Sequence, residues 1–250
     1  MTLLETYSND LADLVARIAT EEHDSITRAA RAMAAQIRDG RLVHVLGTGS
    51  HSMMAVEESL WRAGGLAVMD GVLDEGFALM SGARRSTAIE RVPGYAQAIL
   101  ASWGLAPGEL LVIVNAYGIN AATVDAAQYC RDHEITSVAV TSVSLQRALP
   151  PDHPARHPSR RNLCDLADIV IDSKVPMGDA VVRVPGVEER MGATSTFANA
   201  FVLNALMMET GAELVRHGEA VPVWRSGNSP GGDEANKSLL AQYASRVRKL

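Results

Sequence analysis

Glu58 stands six residues after Ser52, and the stretch before it reads Gly47-Thr48-Gly49-Ser50-His51-Ser52. A carboxylate one to two helical turns past a polar glycine turn suits a general base that moves a proton within a bound molecule. His51 offers the matching acid, or a donor to an anion. The amides of the turn, with the hydroxyls of Thr48, Ser50 and Ser52, suit a single phosphate monoester, because the positive end of a helix dipole faces it. Plainer roles stay open. Glu58 could pair with Arg62 at the next turn, worth about 0.3–0.5 kcal/mol. Gly47 and Gly49 could merely make a tight turn with Ser52 as the helix N-cap, and His51 could be an ordinary turn residue.

Two further polar loops have the same setting. The run LLVIVNAYGINAATVDAA places Asn115, Tyr117, Gly118 and Asn120 between an apolar strand and a helix. After the strand at 137–140 come Thr141, Ser142 and Ser144. Loops at the carboxyl ends of neighbouring parallel strands converge on one crevice, where open α/β sheets bind ligands. Nucleotide readings fit less well. The dinucleotide fingerprint fails at Ser52, where its third glycine should stand, and Asp70 is the only candidate for its acidic partner. A P-loop would need a lysine after Gly49. His153 and His157 have a spacing seen in zinc sites, but no cysteine or second pair completes a ligand set. Cys130 and Cys164 are expected as buried reduced thiols.

The elements that must position these residues follow from periodicity. Residues 3–39 carry a helical apolar stripe closed by Gly40, and 41–46 read as the first buried strand. A helix is expected over 52–63 and a short strand at 66–69. The basic stretch 81–93 reads as a loop whose Arg84 and Arg85, with Arg62, are positive charges available to an acidic ligand. Helices at 95–103 and 121–132 alternate with strands at 110–114, 137–140 and 168–171. That alternation predicts an α/β fold, a doubly wound, mostly parallel sheet flanked by helices, with an N-terminal helical extension (1–40) on a single unit (41–250). The proline-rich 150–162 segment is a connection over the site. Residues 192–215 form a helix that is apolar nearly all round apart from Asn199, Asn204 and Glu209, so it is buried in the core or against another subunit. Ser195 and Thr196 open it, as caps or as site residues. A last helix is capped at Asp233.

At 250 residues with a formal charge of -6, the chain has no basic footprint for nucleic acid or a membrane surface. No apolar run approaches the ~20 residues that span a bilayer, and the amino terminus has no targeting pattern, so a cytoplasmic protein is expected.

In its sequence of strand, GxGxS turn, helix, strand, polar glycine loop, helix and strand-TS, the chain resembles the sugar isomerase (SIS) domain family. The segments HSMMAVEESLWRAGGLA, ARHPSRRNLCDLADIVIDS, GDA, STFANAFVLNAL and PVWRSGNSPGGDEANKSLLAQY are similar to signatures of stand-alone, phosphosugar-binding SIS proteins. The resemblance implies a flavodoxin-like fold, a homodimer or tetramer, and a phosphorylated or acidic sugar as ligand. It further implies aldose–ketose isomerisation with Glu58 as base and no organic cofactor. A sensing module without turnover, or a lyase or etherase acting on an acidic amino sugar phosphate, would use the same fold. Two departures stand out. Ser50 intervenes before His51-Ser52, and Asn115-Ala116-Tyr117-Gly118-Ile119-Asn120 replaces the serine-rich second loop.

Overall fold

A computed structural model describes residues 1–250. In chain order the elements are α1 (Leu3–Glu21), α2 (His23–Arg38), β1 (Val43–Gly47), α3 (Ser50–Ser59) and β2 (Met69–Gly71). Then come α4 (Ala83–Ile89), α5 (Tyr95–Trp103), β3 (Leu110–Val114), α6 (Ala121–Asp132) and β4 (Thr136–Thr141). The rest are α7 (Val143–Ala148), α8 (Leu163–Leu166), β5 (Ile169–Asp172), β6 (Ala180–Val182), β7 (Met191–Ala193), α9 (Ser195–Arg216) and α10 (Gly232–Tyr243).

Strands β1 to β5 form one parallel sheet in the order β2-β1-β3-β4-β5. This is the doubly wound arrangement the alternation predicts, with the crevice at the switch point between β1 and β3. Helices α2, α3 and α9 pack together on one face, and α5, α6 and α8 on the other. With both faces covered, β1 and β3 are buried along their whole length, which is why they read as continuous apolar runs. No helix is long and apolar enough to cross a membrane.

The structure differs from the periodicity at several places. The 3–39 stripe is two helices. The chain turns at Glu22, whose buried carboxylate takes the Asp172 amide at 3.1 Å and Lys174 Nζ at 2.7 Å, pinning the break to the end of β5. Helix α3 stops at Ser59 instead of 63, because Trp61 takes a left-handed φ of 54° and packs on Trp224 with ring centroids 4.4 Å apart. The second strand lies at Met69–Gly71, while Leu66 bridges to Val223. The stretch 81–93 is not a bare loop: it contains α4, whose one fully buried residue is Ser86, donating to the Phe77 carbonyl at 2.7 Å. A β6–β7 hairpin precedes α9, and α10 begins at Gly232 with left-handed Gly231 before it, so Asp233 sits in the first turn and does not cap.

Candidate functional site

The first loop is held open by glycine. A Cβ at Gly47 would collide with the Ser52 carbonyl, because the first turn of α3 packs directly on the strand end. Gly49 has φ 151°, and a Cβ there would lie 2.5 Å from Glu90 Oε2. No side chain caps α3, and no intramolecular acceptor takes the amides of Ser50, His51 or Ser52. Three amides at the positive end of a ten-residue helix therefore face a cavity of about 420 Å³.

The second loop is closed by its own side chain. Asn115 Oδ1 accepts the amides of Tyr117 at 3.1 Å and Gly118 at 2.8 Å, while its Nδ2 donates to the Thr48 carbonyl at 2.8 Å. The amide side chain thus closes the loop on itself and ties the two loops together. Thr141 Oγ1 supports the same loop, donating to the Asn115 carbonyl at 2.6 Å and receiving Gln146 Nε2 at 2.7 Å.

Of the residues singled out in the sequence, Gly49, Ser50, His51, Ser52, Asn115, Tyr117, Asn120 and Ser195 line this cavity. Others stand behind it as scaffold. Gly47 and Gly118 hold the turns, Thr48 Oγ1 is 2.6 Å from Thr123 Oγ1, and Ser142 Oγ donates to the Val175 carbonyl at 2.8 Å. Thr196 is half-buried outside the lining. Glu58 does not reach the cavity either: it pairs with Arg62, Oε1 to Nε 3.0 Å, toward the far end of α3. Asp70, the would-be ribose partner, is taken up by His44 Nδ1 at 2.9 Å, Trp103 Nε1 at 2.8 Å and the Arg248 amide at 3.1 Å.

The polar residues of the lining that the sequence did not assign are Glu90, Arg91, His153, Asp179 and Asn199. Glu90 ends α4, and its carbonyl accepts the Ala122 amide at 3.0 Å, which locks the α4 terminus to the start of α6. Burial pushes the Glu90 carboxyl up to about 7, only partly offset by the charge of Arg91. His153 arrives on the proline-rich strap. Arg156 fastens that strap through the carbonyls of Gln146 and Leu149, each at 2.8 Å, and Asn162 Oδ1 at 2.7 Å. His153 Nδ1 accepts the Ala155 amide at 3.2 Å, which leaves Nε2 without a partner. His157 turns to Asp125 Oδ1 at 3.2 Å and to Ser159, so the two histidines share no ligand position.

A parallel five-stranded sheet with a polar crevice over its switch point, opened by an uncapped helix, places the chain among open α/β folds, whose ligands as a class bind at that crevice. A family model for the SIS domain matches residues 6–142, more than half of the chain, and the chain belongs to that family. Its particular kin are UPF0309 proteins. It is 36% identical over 244 residues to that of Brucella canis, covering 98% of this chain and 97% of the relative. Identity to that of Brucella anthropi is 36% over 245 residues, with the same coverage of both chains, 98% and 97%. Among solved structures, the phosphoheptose isomerase of Neisseria gonorrhoeae shares the fold with a TM-score of 0.55 at 12% identity, over 84% of this chain and 100% of that one. A phosphoheptose isomerase from Francisella tularensis does so with a TM-score of 0.51 at 17% identity, over 84% of this chain and 98% of that one.

Proposed function

We propose that this chain is an isomerase of a phosphorylated or acidic sugar, interconverting aldose and ketose. The observation that carries the reading is one carboxyl, Glu90, held near neutral pH in a cavity that opens on three uncapped helix amides. Aldose–ketose exchange needs a base of this kind. The base takes the proton from C2, the C–H electron pair becomes the C1–C2 double bond of an enediol, and the carbonyl oxygen receives a proton from an acid. His153 or His51, which line the same cavity, supplies that proton; the carboxyl then returns its own to C1 while the C2 hydroxyl gives its proton back to the histidine, leaving the ketose carbonyl at C2. The sequence assigned the base to Glu58; the geometry favours Glu90. No organic cofactor enters these steps. We also propose a homo-oligomer, because Phe197, Met208 and Val215 stand exposed along α9. Sedimentation of the native chain as a monomer would sink that part.

The test is proton NMR of phosphorylated aldoses and ketoses with the protein in D2O. Exchange at C1 or C2 is expected, with Glu90→Gln lowering it by about 10²-fold or more. The competing reading, a sugar-phosphate sensor without turnover, is favoured by Asn115, which closes a loop that a phosphate would otherwise use. Tight binding with no exchange by the native chain would decide for the sensor.

A further inference from the structure

The cavity has two differently charged ends. At the start of α9, Asp179 holds a left-handed φ of 65°, and its carboxylate already occupies the helix N-terminus. Oδ1 accepts the amides of Thr194 at 2.9 Å and Ser195 at 2.7 Å and the Thr194 hydroxyl at 3.1 Å, while Oδ2 accepts only Ser195 Oγ, at 2.7 Å. One helical turn on, on the same face as Ser195, lies Asn199. It is 1% exposed and lines the cavity, yet its Oδ1 is buried with no hydrogen-bond partner. An orphaned amide oxygen inside a protein is costly and uncommon, and a bound donor would relieve it. The terminal torsion of asparagine is broad and roughly two-fold, so the amide can turn either its oxygen or its NH2 to a ligand.

We infer that Asn199 and Asp179 form the hydroxyl-binding end of the cavity, so that a phosphorylated sugar lies with its anion at α3 and its polyol chain against α9. The inference rests on the phosphosugar reading above and adds the ligand's orientation. A phosphate dianion only accepts hydrogen bonds; against α9 it would meet the Asp179 carboxylate, whereas the carboxyl at the α3 end, Glu90 beside Gly49, keeps its proton up to about pH 7. A hydroxyl donates and accepts, and so matches Asn199, Ser195 and the remaining lone pairs of Asp179 Oδ2. The amides of Ser50, His51 and Ser52, which have no resident acceptor, are left to the phosphate.

The experiment compares inorganic phosphate with a panel of phosphorylated aldoses and ketoses, by calorimetry, on the native chain and on Asn199→Leu, a near-isosteric apolar replacement. Asn199→Ala serves if the leucine variant does not fold. Affinity for the best sugar phosphate is expected to fall about tenfold or more, and that for inorganic phosphate less than about twofold. Asp179→Asn, which tolerates the left-handed backbone, is expected to bind inorganic phosphate more tightly by removing the excluding charge. Equal losses for both ligands in the Asn199 variants, or no loss for either, overturn the orientation. A native chain that shows the binding pattern but exchanges no C1 or C2 proton leaves the orientation standing and sinks the isomerase. One that binds no sugar phosphate sinks both.

Discussion

The loops at 47–52 and 115–120 occupy equivalent places, each joining the end of a central parallel strand to a helix, and they have met opposite fates. The first keeps its helix amides free, because glycine at 47 and 49 lets α3 begin at once and no side chain folds back to cap it. The second spends the amides of Tyr117 and Gly118 on Asn115, and the Ala122 amide of the helix behind it on the Glu90 carbonyl. Ligand affinity in such a crevice comes from groups left unsatisfied in the free protein, and rigidity comes from groups already paired. One loop supplies each, and Asn115 Nδ2 on the Thr48 carbonyl is the tie that keeps them in register.

The largest test of this division is Gly47→Ala. The added methyl would drive into the Ser52 carbonyl, which belongs to the backbone and has no rotamer to escape by. Chemical denaturation should show a loss of at least about 3 kcal/mol, or no folded protein at all. Stability near the native value would mean that α3 can slide and that the open loop is not fixed by packing.

Glu90→Gln comes next, and its sign depends on pH. The folded carboxyl is raised from 4.5 to about 7, so between those values the folded chain holds more proton than the unfolded one. Stability from this group is therefore complete below about pH 4.5 and is lost as pH climbs through 7. At about 1.36 kcal/mol per pH unit, the gap comes to about 3 kcal/mol at pH 8. Glutamine, which never ionises, should raise the melting temperature at pH 8 and change it little near pH 5. On the isomerase proposal the same group should make kcat/KM rise with pH to a plateau above about 7. A variant equally stabilised at both pH values would show that the carboxyl is not buried as a titrating group.

Asn115→Ser attacks the closed loop. Serine cannot span both amides and the Thr48 carbonyl, so a loss of about 1–3 kcal/mol is expected. The freed amides should at the same time raise affinity for inorganic phosphate several-fold. Lost stability with no gain in phosphate binding would mean that the second loop is only structural.

What could be read from the sequence follows from which forces leave a periodic trace. Strands β3 and β4 are buried on both faces, so their apolar runs announced them, and the loops at their carboxyl ends located the crevice. Helix α4 left no such trace because the side chain it buries is a serine bonded to a distant carbonyl. With α4 unread, Glu90 was invisible, although it meets Gly49 across 41 residues of sequence. Asn199 did leave a signal, as an amide inside an otherwise apolar helix, but only the fold shows that it faces the cavity with its oxygen unpaired. Asp179 showed only as part of the GDA segment, with no role attached, since its capping partners lie 15 and 16 residues away across a hairpin.

Glu58 and Glu90 carry the same side chain at two distances from one loop, and the smallest predicted effect decides between them. Six residues of helix separate Glu58 from Ser52, about 9 Å of axial rise away from the cavity mouth. Resemblance pointed to Glu58, whereas Glu90 arrives from another element and covers Gly49 directly. The Glu58–Arg62 pair is partly solvated, with side-chain exposures of 31% and 55%, and such i,i+4 pairs are worth about 0.3–0.5 kcal/mol. Glu58→Gln should therefore shift unfolding by no more than that and leave the rate of C1–C2 proton exchange within about twofold of native. Loss of exchange in Glu58→Gln with native stability would reverse the assignment. It would mean that α3 presents its far end to a site completed by another chain, and that Glu90 tunes the charge of the cavity without moving the proton.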